Sequence, residues 1–73
     1  MQTTVIEVFK TNIREREVAY KVSLELAKHF PNTKINFDLD DCDNILRVEG
    51  NGFSIQAVVE AAKTLGFICE PLV

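Results

Sequence analysis

Thiols and carboxylates are the side chains of this sequence that could bind a metal ion. Cys42 lies in an acidic stretch, residues 38–43, which also contains Asp41. Carboxylates are the ligands that Ca²⁺ and Mg²⁺ prefer, but the stretch lacks the Gly and the Glu that an EF-hand loop needs at its sixth and twelfth positions. The pattern therefore predicts a solvated acidic turn, with Cys42 and Asp41 as weak metal ligands.

Catalytic constellations are missing from the sequence. His29 is the only histidine, and it stands near the end of a predicted helix, where a cation suits the helix dipole. No serine or cysteine is placed to form a triad with it, and the Gly50–Gly52 pair is too short to be a phosphate-binding loop. We therefore expect neither an enzyme nor a bound cofactor.

Charged residues alternate at positions 14–17, which are Arg14, Glu15, Arg16 and Glu17. This run falls at the start of the first predicted helix, so it is either a solvated first turn or a charged docking surface. Docking charges of this kind mostly set specificity and association rate.

The composition bounds the class of protein. The chain has 73 residues, a length that predicts one domain, residues 1–73. Its net charge of −3 argues against nucleic-acid and anionic-membrane partners. It contains neither an apolar signal segment nor a membrane-spanning stretch, and its two cysteines are too few for a disulfide framework. We expect a cytoplasmic protein that is complete from Met1.

The first half of the chain predicts a strand and then a helix. Residues 4–10 are rich in β-branched and aromatic side chains, and alternation places Val5 and Phe9 on one face. Asn12 is in position to cap a helix, with Glu15 completing a capping box. Apolar residues at helical spacing then continue to Pro31, which ends the helix.

The second half predicts a hairpin, a helix and a short strand. Residues 35–39 and 45–49 are strands on either side of the acidic turn. Ser54 caps the second helix, and Gly66 ends it in a left-handed conformation. The last strand contains Pro71, which has no backbone N–H to donate to a neighbouring strand, so we expect this strand at an edge of the sheet.

The order βαββαβ predicts an α+β, ferredoxin-like sandwich, with strand order 4-1-3-2 and both helices on one face of an antiparallel sheet. Cys42 and Cys69 then belong to opposite edges, roughly 14 Å apart, which is too far for a disulfide or a shared metal site. We expect Cys69 to fill the core. The sheet face away from the helices would carry an apolar patch, a surface for a partner or a weak homodimer, made of Val5, Phe9, Ile45, Ile68 and Leu72.

The chain resembles the heavy-metal-associated domain, the fold of copper chaperones and of the N-terminal domains of copper-transporting P-type ATPases. The resemblance rests on Phe-Asp-Leu at 37–39, the hairpin strand at 46–50, the helix at 55–62, Leu-Gly-Phe at 65–67 and Glu-Pro-Leu at 70–72. It covers nearly the whole chain and implies the same ferredoxin-like scaffold.

The family binds metal through Met-x-Cys-x-x-Cys in the first loop, and this motif is missing here. The resemblance places Ile13 at the Met position, Glu15 at the first Cys and Val18 at the second. Cu(I) is a soft ion that these domains hold by two thiolates. The resemblance therefore implies the scaffold without the ligands, although Phe67 matches the aromatic beside the family's metal loop.

Two functions remain open at the level of sequence. The first is a non-catalytic module that docks a protein partner through the end of the sheet that carries its loops: Arg14, Glu15, Arg16, Glu17, Asp41, Cys42 and Phe67. The second is Zn²⁺ or Cu binding or transfer by Cys42 with Glu15 and Asp41, or by Cys42 across a dimer. Enzymes of the acylphosphatase type and ACT-like sensors share only the fold.

Overall fold

A computed structural model describes residues 4–72 and shows a ferredoxin-like α+β fold. The elements are β1 (Val5–Thr11), α1 (Arg16–His29), β2 (Thr33–Asp38), β3 (Ile45–Gly50), α2 (Ile55–Leu65) and β4 (Cys69–Pro71). The strands form one antiparallel sheet in the order β2-β3-β1-β4, which confirms the predicted topology. Neither helix has the length and apolar character needed to cross a membrane within this range.

The core lies between one face of the sheet and the two helices. Phe9 and Leu46 are directly opposite each other on β1 and β3, and both are fully buried. Leu26 of α1 and Val58 of α2 join them in one cluster. Because cross-strand partners share a face, both helices cover the same side of the sheet.

The predicted face of β1 is wrong. Phe9 was expected on the open face, away from the helices, but it belongs to the core. Val5 shares its side by alternation, and Ile6 is instead 55 % exposed on the open face. The first strand is apolar on both sides, so its alternation does not determine which side faces the helices.

The predicted apolar patch is consequently not formed as a unit. Ile45 lies opposite Lys10 on the open face but is buried, and Phe9 is on the other side of the sheet. Ile68 and Leu72 are exposed, as expected.

The two helices begin in different ways. Ser54 caps α2 by accepting a hydrogen bond from the backbone N–H of Ala57, and Gly66 ends it with a φ of 92°, as predicted. The N-cap of α1 is Glu15, whose side chain makes no capping bond. The capping box predicted from Asn12 is therefore wrong, because Asn12 has a different partner.

Candidate functional site

Three connections meet at one end of the sheet, which we call the loop end: residues 12–15, 39–44 and 66–68. Thr11, the last residue of β1, joins the first two of them. Its hydroxyl donates to the Asn44 carbonyl at 2.6 Å and accepts from the Ile13 N–H at 3.2 Å, and its own N–H donates to the Asp43 carbonyl at 3.2 Å. Thr11 is the buried polar residue of this region, and sequence reasoning missed it.

The third connection is held by Asn12. Its side-chain oxygen accepts a hydrogen bond of 3.0 Å from the backbone N–H of Ile68, 56 residues later in the chain. The neighbouring Phe67 donates its N–H to the Ala62 carbonyl at 3.0 Å. Hydrogen bonds therefore hold all three connections of the loop end in a defined arrangement.

A shallow groove of about 290 Å³ lies between the first loop, the start of α1 and the end of α2. Ile13 is buried in the core. Val18 is 42 % exposed, and Phe67 is 7 % exposed and packs into the core cluster. The groove is lined by Asn12, Ile13, Arg14, Glu15, Val18, Gly66 and Phe67. Its lining includes apolar and charged side chains but no thiol.

Charged side chains are exposed at the loop end, and two of them line this groove. Arg14 and Glu15 are exposed, and the Arg16 guanidinium lies 3.7 Å from the Asp40 carboxylate across the gap between α1 and the hairpin turn. Both partners of that pair are highly exposed, so solvent screens it and it contributes little to stability. Glu17 pairs with Lys21 within α1 at 3.6 Å. The charges remain accessible to a binding partner.

The structure brings together two of the three metal candidates of the sequence, Asp41 and Cys42. The ligand atoms of Asp41, Cys42 and Asp43 lie within 4.8 Å of one another, whereas Glu15 is not part of that group. These three residues are consecutive in one turn, and the Asp41 carboxylate already accepts the Asp43 N–H at 2.9 Å. Their proximity follows from the turn itself, and one thiolate with two solvated carboxylates is a poor donor set for Cu(I).

The other two side chains of interest, Cys69 and His29, are not part of this group. Cys69 is buried, and desolvation raises the pKa of its thiol to about 12, so it stays protonated and fills the core. His29 ends α1, which is about 20 Å long and begins at the loop end. Cys42 and Cys69 are both free.

Comparison of the chain with protein-family models, curated proteins and solved structures finds no match.

Proposed function

We propose that this chain is a non-catalytic binding module, a relative of the copper chaperones with a degenerate metal site, which docks a protein partner at its loop end. The observation that carries the proposal is the groove beside Val18. The Val18 side chain is 42 % exposed there, the exposed Arg14 and Glu15 line the same groove, and hydrogen bonds of Asn12 and Ile13 hold the adjoining loop in place. A pre-ordered apolar surface with a charged rim is typical of a protein-docking site.

The charge of the loop end indicates what kind of partner surface would be complementary to it. Carboxylates of the 40–43 turn and of positions 15 and 17 outnumber the two guanidinium groups of Arg14 and Arg16. A partner with a basic surface and an apolar side chain for the groove would be complementary. Its charges would speed association, while the contact with Val18 would slow dissociation.

A pair of matched variants on α1 tests this proposal. Val18 and Leu24 are both exposed apolar residues, 42 % and 50 % respectively, but only Val18 lines the groove. We expect immobilised wild-type protein and the Leu24→Asp variant to retain the same partner from a lysate, and Val18→Asp to lose it. Retention by both variants, or loss from both, contradicts docking in the groove.

The metal-binding alternative is tested on the same protein. Cys42→Ser should leave partner capture unchanged, because the thiol lies outside the groove. Reduced, isotope-labelled protein should show no saturable amide shifts when titrated anaerobically with Cu(I) and then with Zn²⁺. Saturable shifts at residues 41–43 that survive a weak chelator would instead favour a metal carrier.

A further inference from the structure

The two edges of the sheet differ in their protection against further pairing. At one edge, β4 has three residues and contains Pro71. At the other edge, β2 has six residues, Thr33–Asp38, with neither proline nor glycine. An edge strand exposes a row of backbone N–H and C=O groups that can pair with another strand, and proline or short length prevents this. The β2 edge has neither protection.

The side chains of β2 on its helix-facing side are incompletely covered. Ile35 and Phe37 are half-buried in an alternating pattern, while Asn36 between them is exposed. They line a groove of about 580 Å³ between β2 and α1, beside Tyr20, which is 67 % exposed. A strand added at this edge would cover both the free backbone and these half-buried side chains.

We propose that β2 pairs with β2 of a second copy of this chain, antiparallel and centred on Asn36. In that register Lys34 lies opposite Asp38 of the second copy, and the two-fold axis repeats the pair. Ile35 lies opposite Phe37 of the second copy on the helix side. Opposite charges directly across a strand pair are favourable, and so are aromatic side chains across from β-branched ones.

Neighbouring registers lack this complementarity. A slip of two residues one way places Lys34 opposite Asn36. The same slip the other way places Asp38 opposite Asn36 and Lys34 opposite Asp40, which lies beyond the end of β2. The centred register therefore pairs every charge of the strand with an opposite one within the strand itself. The sequence of β2 is complementary to its own reverse.

The dimer would be one continuous eight-stranded sheet. A two-fold axis perpendicular to the sheet keeps the helices of both copies on the same side, so the two grooves beside β2 adjoin and Tyr20 of each copy borders the contact. The loop ends point in opposite directions because the β2 strands are antiparallel, and both remain accessible. Since six-residue strands make a contact smaller than a standard interface, we expect a Kd weaker than about 1 µM.

Charge-swap variants test the register. Lys34→Glu and Asp38→Lys each place like charges opposite each other twice in a homodimer, so sedimentation equilibrium should show the Kd of each variant raised about tenfold or more. A mixture of the two variants restores both attractive pairs, so it should form a heterodimer with nearly the wild-type Kd. Lys63→Glu makes the same charge change on exposed α2 and should leave the wild-type Kd unchanged.

Restored association in the mixture also shows that both variants are folded. A wild-type protein that stays monomeric at millimolar concentration would overturn the proposal. So would a mixture that associates no better than its components, or an equal loss of association in Lys63→Glu. None of these results depends on the loop-end partner.

Discussion

Replacement of Thr11 by valine tests the internal hydrogen bonding of the loop end. The substitution keeps the shape of the side chain and removes one hydroxyl. That hydroxyl has two partners, the Asn44 carbonyl at 2.6 Å and the Ile13 N–H at 3.2 Å. Thr11 and Ile13 are both buried, so water does not readily replace the lost partner. We expect Thr11→Val to lower the free energy of unfolding by about 2 to 3 kcal/mol.

Thr64→Val is the matched control. The Thr64 hydroxyl donates to the Glu60 carbonyl at 3.2 Å on the exposed surface of α2, so its removal should change stability by no more than about 0.5 kcal/mol. Urea denaturation measures both values. In a domain of this size, the Thr11 variant should also melt about 10 to 20 °C lower than the wild type.

Amide hydrogen exchange separates a local effect from a global one. In conditions where the Thr11→Val protein is folded, the Ile13 amide should exchange faster than in the wild type, because it has lost its acceptor. The exchange rates of amides in the middle of β3 should change only as far as the global stability of the protein changes. Equal destabilisation by Thr11→Val and Thr64→Val, or an unchanged Ile13 amide, would refute this account of the loop end.

Three further predictions concern the backbone, the buried thiol and the missing ligands. Gly50→Ala should lower the free energy of unfolding in urea denaturation more than Gly52→Ala. Both glycines have a positive φ that strains an L residue, but only at position 50 does a Cβ also meet backbone, that of residues 32 and 33, with the Thr33 Cα at 2.9 Å. Burial raises the pKa of the Cys69 thiol from its ordinary value of 9.0 to about 12, so the thiol ionises at lower pH in the unfolded chain than in the folded protein. Stability should therefore fall as the pH rises above 9.0, and less steeply in Cys69→Ala. If the proposed relation to the copper chaperones holds, the double variant Glu15→Cys, Val18→Cys should bind Cu(I), because it supplies two thiolates at the positions that the resemblance gives to the family's cysteines.

Each of these predictions has a contrary outcome. Similar decreases in the free energy of unfolding for Gly50→Ala and Gly52→Ala would show that the backbone around the end of β3 moves to accommodate the added Cβ. Parallel pH profiles of the wild type and Cys69→Ala would mean that the thiol is not desolvated in the folded state. A double-cysteine variant with no affinity for Cu(I) beyond that of the wild type would weaken the proposed relation to the copper chaperones.

The elements of this fold are predictable because their signals are local. Ser54 and Gly66 bound α2 in both sequence and structure, since a capping hydroxyl and a left-handed glycine act on adjacent residues. The turn at residues 39–44 likewise follows from its composition. The predicted topology then follows from element order and the short connections.

The wrong and missed predictions from the sequence concern residues whose contacts are with residues far away in the chain. Asn12 has the sequence context of a helix cap, but its side chain bonds to Ile68 instead. Thr11 has the appearance of an ordinary strand residue, and only the fold brings Asn44 to its hydroxyl. Phe9 was predicted on the wrong face, because both sides of β1 are apolar and only the fold shows which of them meets the helices. The backbone arrangement of the loop end therefore depends on hydrogen bonds between residues far apart in the sequence, which no local sequence pattern reveals.

The clearest strand pattern in the sequence belongs to β2, an edge strand with a single neighbouring strand. Ile35, Phe37 and Leu39 alternate with polar residues, which predicts one fully buried face, yet all three are only half-buried. β2 is an edge strand, so its helix-facing side chains have a neighbouring strand on one side only. A regular alternation without proline or glycine is also what a strand needs in order to pair on its free side. The sequence of β2 is therefore better suited to a strand with two neighbours than to the edge that it occupies in a single chain, which is the physical argument for a second copy beside it.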